Sequence, residues 1–373
     1  MERIEREQAD YLFIILVVLL TGIGMSMLFS ASWYHSERLG LGPLNLFNKQ
    51  LVFVALGFIA LIVFSRLPLA LVQKAVPALV IGTFVVALLP FIPGVGREIN
   101  GARRWFSFLD YTFQPSELIK FTVVVYLASI LQKKEGKLDR PLNALTPPMI
   151  IVFAFAFIIF LQNDLSTAFF ILAVALAMLF IARVKITFFV VVGLVLMPLG
   201  GVVVLMKPYW IEKLFTFLYP TSDPYNTGYQ ISQSKLALQL GGFLGQGVGM
   251  STRKLYVPEA DSDLIFAVTG EELGFIGLAI LIILFCLFAL RGYSISFRNK
   301  NNFAYYLGFG ITTTIFLQAV LNMLVTAGLV PATGMPLPFF SLGGSAMLVT
   351  LLMCGLMINI SRSKQADGGY FHG

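Results

Sequence analysis

Long apolar runs separated by short polar punctuation dominate this chain. A helix that crosses the hydrocarbon core of a bilayer needs about 20 mostly apolar residues. Runs of that kind centre on residues 11–30, 51–65, 69–91, 118–131, 149–161, 165–182, 186–205, 264–290, 305–325 and 345–360. They predict ten transmembrane helices, hence an all-α, polytopic integral membrane protein. The fifth and sixth runs are separated only by Gln162, Asn163 and Asp164. They count as two helices because their combined length exceeds any single span. The first run follows a charged head, is too long for a signal-peptide core and meets no small-residue cleavage site, so it is expected to stay as the first helix. No internal repeat is visible, so an inverted-repeat transporter is not indicated.

Composition supports the membrane reading. Hydrophobic residues make up 58% of the 373 and charged residues 12%, with a mean hydropathy of +0.85. A soluble domain has about a quarter of its residues charged. The net charge of +7 reflects basic loops rather than a nucleic-acid partner. Arg3, Arg6, Arg66, Lys133, Lys134, Lys137, Arg140, Arg183, Lys185, Arg291, Arg298, Lys300, Arg362 and Lys364 fall on one side of the ten-helix pattern. By the positive-inside rule that side is cytoplasmic and carries both termini. Cys286 and Cys354 lie in apolar runs and form no disulfide framework. His35 and His372 stand far apart, which argues against a usual zinc site.

Two outer segments break the apolar pattern. Residues 92–114 form a basic, aromatic loop containing Arg97, Arg103 and Arg104. Residues 207–262, between the seventh and eighth helices, are the longest non-hydrophobic stretch. Loops of that length are more often functional than idle, and amphipathic helices are expected near 211–218 and 228–240. Residues 1–364 read as one transmembrane domain, and 365–373 as a disordered tail.

Ionisable groups inside membrane spans are costly and point to function by default. Glu117 and Lys120, three apart, share a helix face, either as a structural ion pair or as a site. Asp164 opens the sixth helix, where it is a natural N-cap as well as a candidate site residue. Asp261 and Asp263, with Glu259, sit where the long loop meets the eighth helix. One of the aspartates is expected to cap that helix; either is also placed as a general base would be. Glu271 and Glu272 are adjacent, so at least one must face the bundle interior. The run GGFLGQGVG (Gly241 to Gly249) lacks the spacing and strand context of a nucleotide loop. Its amides remain candidates to approach a pyrophosphate. The rigid loop PATGMPLPFFSLGGS (Pro331 to Ser345) fits a cavity lining.

Six ordered blocks resemble the SEDS family (shape, elongation, division and sporulation proteins) over nearly the whole chain. They are GARRW, FQPSELIKF, QNDLSTA, YQISQSKLAL with GGFLGQGVG, LYVPEADSDLIFAVTGEELGF and NMLVTAGLVPATGMPLPFFSLGGS. The pairing of GARRW with FQPSE is more similar to the elongation branch than to the division branch. The resemblance implies a ten-helix fold and an enzyme that polymerises lipid II into glycan strands outside the membrane, partnered by a class B penicillin-binding protein and the elongation machinery. It places the catalytic carboxylate on Asp263. It attaches importance to Arg104, Trp105, Glu117, Lys120, Asp164 and Ser345, and Arg103, Lys235, Glu259, Asp261 and Ser341 join them as candidate substrate-binding residues. The chain departs from the pattern where the usual His-Thr-Asp reads Asp261-Ser262-Asp263, so that a carboxylate replaces an imidazole. The family's Pro-Asp-Leu-Gly-Thr reads Asn163-Asp164-Leu165-Ser166-Thr167, and its final-motif tyrosine is Leu342.

The implied chemistry is attack by a sugar hydroxyl on an anomeric carbon bearing a lipid pyrophosphate, with inversion. Asp263 would accept the hydroxyl proton. Arg103, Arg104, Lys120 or a divalent cation (Mg2+ or Mn2+, held with help from Asp261 and Asp263) would stabilise the pyrophosphate. Trp105 would stack on a sugar or anchor its loop at the interface. Two rivals remain: a lipid II flippase lined by the buried charges, and a non-catalytic scaffold for the penicillin-binding protein.

Overall fold

The computed structural model describes residues 8–99, 102–108, 111–136, 141–205, 208–219 and 227–363. Each of the ten apolar runs lies in helix: α1 (Tyr11–Arg38), α2 (Asn45–Phe64), α3 and α4 (Leu69–Lys74, Val76–Leu88), α5 (Pro115–Lys133), α6 (Pro141–Leu161), α7 (Leu165–Ile181), α8 (Ile186–Leu205), α11 (Ile265–Phe297), α12 (Asn302–Thr326) and α13 (Gly344–Arg362). Among them α1, α2, α11, α12 and α13 are each long and apolar enough to cross a membrane by themselves. The run 69–91 is broken after Lys74, and α4 restarts with a proline in its first turn. Pro77 has no N–H for the preceding turn, so the helix is interrupted there.

The long loop contains two helices, α9 (Pro208–Leu218) and α10 (Thr227–Gly241), close to the expected positions. The segment 92–114 differs from its expectation as a loop. It holds a three-stranded antiparallel sheet, β1 (Gly96–Ile99), β2 (Ala102–Phe108) and β3 (Tyr111–Phe113), with β2 in the middle. Strand alternation sends adjacent side chains to opposite faces, and this separates Arg103 from Arg104. The expected tail 365–373 lies outside the described residues.

α5 is buried on nearly every side and packs against α4, α7 and α12; α13 lies along α2, and α11 against α1, α10 and α12. The core between them is aromatic, with Phe155, Phe285, Phe288, Phe339 and Phe340 fully buried.

One end of the bundle is tied by complete polar contacts. Asp10 caps α1 by accepting from Phe13 N (3.0 Å) and pairs with Arg291 at 2.7 Å. Asn299 donates to the Ile360 and Ser363 carbonyls, and Asn301 caps α12 through the amides of Phe303 and Ala304. The opposite end holds the sheet, the heads of α5, α7, α11 and α13, and the tail of α12.

α11 is interrupted at Gly274 (φ 67°, ψ −170°). The break releases the carbonyls of Glu271 and Glu272, which accept from Gln246 N and Gly247 N, both at 3.0 Å. A Cβ on Gly245 would stand 2.2 Å from the Glu272 carbonyl oxygen, so no other residue allows this approach. The glycine run therefore completes a broken helix. The amides of Gln246 and Gly247, candidates for a pyrophosphate, are already bonded.

Candidate active site

Asp263 stands just ahead of α11 on a tight turn. The Glu259 carbonyl accepts from Ser262 N and Leu264 N, both at 3.1 Å, and Glu259 itself takes φ 54°. The three carbonyls that follow are gripped from the α12–α13 side. Leu342 N donates to Asp261 O (2.7 Å), Ser341 Oγ to Ser262 O (2.6 Å) and Asn322 Nδ2 to Asp263 O (2.8 Å). Ser341, expected to touch substrate, is thus a brace for the turn; its Oγ also accepts from Leu337 N.

The Asp263 carboxylate lies against the loop between α12 and α13. A Cβ on Gly334, which has φ +70°, would approach its Oδ2 to 3.3 Å. Burial, then the negative charge of Glu259, raises its pKa to about 7, with Arg104 and Lys213 drawing it down and Asp164 pushing it up. A carboxyl with a pKa near neutrality suits proton acceptance at physiological pH. Lys213, on α9, donates to Ala332 O at 3.2 Å, which brings the long loop over this carboxylate.

Arg104 and Asp164 meet across the sheet and the head of α7, Nη1 to Oδ2 at 3.6 Å. Asp164 also caps α7, its Oδ1 accepting from Thr167 N at 3.2 Å. The cap thus uses one carboxylate oxygen and the Arg104 pair the other. Arg104 rests over the Trp105 ring at 5.6 Å, and its buried Nε has no hydrogen-bond partner.

Glu117 and Lys120 form a buried ion pair at 2.8 Å. Lys120 also donates to Gln318 (2.6 Å), which donates to Pro336 O (2.8 Å). One turn further along α12, Asn322 donates to Met335 O and Asp263 O. Gln318 and Asn322 thus join the ion pair, the proline-rich loop and the turn of Asp263. Sequence reasoning missed both, although two amides four residues apart in an apolar run were a usable signal. It also missed His35, whose Nδ1 lies 2.8 Å from Asp261 Oδ2.

The remaining expected residues lie at the margin. Ser345 Oγ accepts from Gln114 N at 3.3 Å. Lys235, exposed on α10, packs over Gly328. Arg103 turns away: its side chain is 62% exposed and pairs with Glu98 at 2.9 Å, so the structure does not bring it to Asp263. A metal shared by Asp261 and Asp263 does not fit either, because the Asp261 carboxylate is buried against His35 while that of Asp263 faces Gly334. Among the described residues no group of three or more His, Cys, Asp or Glu side chains is placed to hold a metal ion. Glu271 and Glu272 both point inward. Glu271 accepts from Ser251 Oγ, Thr252 N and Arg253 N, and Glu272 from Ser30 Oγ.

A helical membrane bundle that gathers Asp263, Arg104 and Asp164 at one end is the arrangement of an integral-membrane protein with a candidate site at that end. Residues 10–366 match the family model FTSW_RODA_SPOVE, described as cell cycle protein, and the chain belongs to this family of peptidoglycan glycosyltransferases. It is 36% identical to the probable peptidoglycan glycosyltransferase FtsW of a Geobacter species, over 95% of this chain and 97% of that one. It is also 36% identical to the protein of the same name from Borreliella burgdorferi, over 94% and 96%. Its fold matches a chain in a structure described as the coordination of polymerization and crosslinking by a peptidoglycan synthase complex (TM-score 0.78, 25% identity, 96% and 99% covered). It also matches rod shape determining protein RodA of Thermus thermophilus (TM-score 0.69, 24% identity, 96% and 98% covered). These relatives carry the name FtsW and the Thermus thermophilus structure the name RodA, and the family model covers both names.

Proposed function

We propose that this protein joins lipid II, a polyprenyl-pyrophosphate-linked disaccharide peptide, into glycan strands at the outer face of a bacterial cytoplasmic membrane, with Asp263 as general base. A sugar hydroxyl of one substrate attacks the anomeric carbon of the other. Its proton passes to Asp263, the bond from that carbon to the pyrophosphate oxygen breaks, and polyprenyl pyrophosphate leaves. The observation that carries this reading is the turn that presents Asp263 at the head of α11, braced at three carbonyls from the α12–α13 side, with Arg104 and Lys213 acting on its carboxylate. Arg104 is the donor for the departing pyrophosphate, held in place by Asp164. The ion pair of Glu117 with Lys120 is neutralised within the bundle, which favours bracing over a transport path.

The Lys/Arg asymmetry supports placing both termini in the cytoplasm and the Asp263 end outside. The likeness to a peptidoglycan synthase complex supports a class B penicillin-binding protein as partner. The pairing of GARRW with FQPSE supports a place in the elongation machinery. A divalent cation, Mg2+ or Mn2+, would arrive with the substrate pyrophosphate.

The test is polymer formation from purified lipid II with the partner present, in Mg2+ and in Mn2+. Asp263→Asn is expected to lower turnover by roughly 100-fold or more in protein that still runs as a single species. Wild-type turnover should rise with pH up to about 7 and level above it, because the base works only when deprotonated. Full activity in Asp263→Asn would sink the assignment. A folded wild type that makes no polymer would move the function to lipid transport or scaffolding.

A further inference from the structure

The turn of Asp263 is fixed on two sides by different means. The α12–α13 side holds it through its backbone, at the carbonyls of residues 261, 262 and 263. The α1 side holds it through one side chain. The Asp261 carboxylate is buried, with 2% of its side chain exposed, and lies 2.8 Å from His35 Nδ1. A buried carboxylate without a charged or donating partner is strongly destabilising, so the imidazole is a requirement of that site.

His35 is well placed to anchor. It lies in the last turn of α1, followed by a closed loop in which Ser36 Oγ donates to Gly42 O and Leu41 N to Ser36 O. Five residues earlier Ser30 meets Glu272 and Lys254, so α1 touches both the glycine-braced part of α11 and the turn ahead of it. Among the described residues none bonds His35 Nε2, and 43% of the side chain is exposed. In the pattern the motif resembles, an imidazole occupies position 261 itself; here it arrives from another helix, onto a carboxylate.

We propose that His35 is a positioning residue for the reaction: through Asp261 it ties the turn carrying Asp263 to the end of α1. The carbonyl bonds set the height of the turn over α12, and the His35–Asp261 bond sets its distance from α1. Both are needed to aim the Asp263 carboxylate past Gly334. The proposal rests on Asp263 being the base.

The experiment is an exchange of the two partners in the full-length protein, assayed on lipid II with the penicillin-binding partner. His35→Ala is expected to lower kcat roughly tenfold with KM little changed, the size expected for losing a charge-assisted hydrogen bond. Asp261→His, which restores the usual family residue but leaves two imidazoles facing each other, is expected to fall by about as much. The double exchange His35→Asp with Asp261→His is expected to return to within roughly threefold of wild type. A merely structural role would move melting temperature and active fraction and would not give this recovery of kcat. Wild-type kcat in His35→Ala, or a folded double exchange no faster than Asp261→His, would overturn the proposal.

Should the exchanged protein not fold, His35→Gln and His35→Leu take its place. Glutamine keeps a donor of similar reach and is expected to hold at least about a third of wild-type kcat, whereas leucine drops roughly tenfold. Equal rates in those two variants would also overturn it. A wild type that makes no polymer strikes the enzymatic reading instead. The melting temperatures of the wild type, the single exchanges His35→Asp and Asp261→His, and the double exchange then still report the pair, and additive losses with no recovery would remove it.

Discussion

The two ends of this bundle use the same polar side chains in different ways. At the end that holds Asp10, every prominent group completes its bonds: Asp10 with Arg291 and Phe13 N, Asn299 with two carbonyls, Asn301 with two amides. At the end that holds Asp263, several buried polar atoms have no partner, among them Arg104 Nε, Asn322 Oδ1 and Thr333 Oγ1. Buried polar atoms in native proteins are bonded almost without exception. Three of these exceptions, on Arg104, Asn322 and Thr333, stand on the elements that surround the turn of Asp263. The comparison separates polar residues that hold helices together from polar residues kept ready for a ligand.

Three substitutions sharpen or break that division. The largest effect is expected from Glu117→Gln, which leaves the Lys120 ammonium without its counter-charge in the middle of the bundle. A loss of about 3–5 kcal/mol, read as unfolding in detergent, is expected there. A stability near wild type would show that Gln318 alone supports Lys120 and that the pair belongs with the substrate groups. Next in size is Arg104→Lys. It keeps the charge but loses the fork that matches a phosphate, and turnover should fall roughly 10- to 100-fold with little change in melting. Equal turnover for lysine and arginine would mean that the site needs only a positive field. The smallest effect is expected from Asp10→Ala, which removes a helix cap and a partly exposed ion pair. It should cost about 1–2 kcal/mol and leave turnover per folded molecule unchanged. A fall in turnover as large as that of Arg104→Lys would break the division of the two ends.

Much of the fold was legible because bilayer thickness imposes a length on apolar runs, and all ten runs lie in helix. α9 was legible from its amphipathic periodicity, whereas α10 lies near its expected position without being amphipathic. The sheet was not. Its central strand ARRWFSF is short, and its alternation is overwritten by two adjacent arginines whose opposite directions appear only once the strand is formed. The heads of helices were readable in part. Asp164 was legible as a cap, but its pairing with Arg104 was not, because the use of two oxygens by two partners is a three-dimensional fact. Ser341 was named for its place in a motif, and turned out to brace a carbonyl. Gln318, Asn322 and His35 were not read as site residues, because their sequence neighbours give no sign of the partners they meet in the fold. Their meaning lies in residues 13 to 226 positions away.

The break at Gly274 also acts as a depth gauge. An unbroken α11 of 33 residues would be about 50 Å long, far more than a hydrocarbon core of about 30 Å. Residues 265–272 are buried, and the large exposed apolar side chains of α11 begin at Phe275. The segment in contact with lipid therefore starts at the break, and 23 residues from Phe275 to Phe297 cover about 34 Å. The turn of Asp263 and the nine helical residues 265–273 lie beyond that break, outside the segment that faces lipid. One glycine therefore fixes where along α11 the lipid-facing segment ends and the polar turn of Asp263 begins.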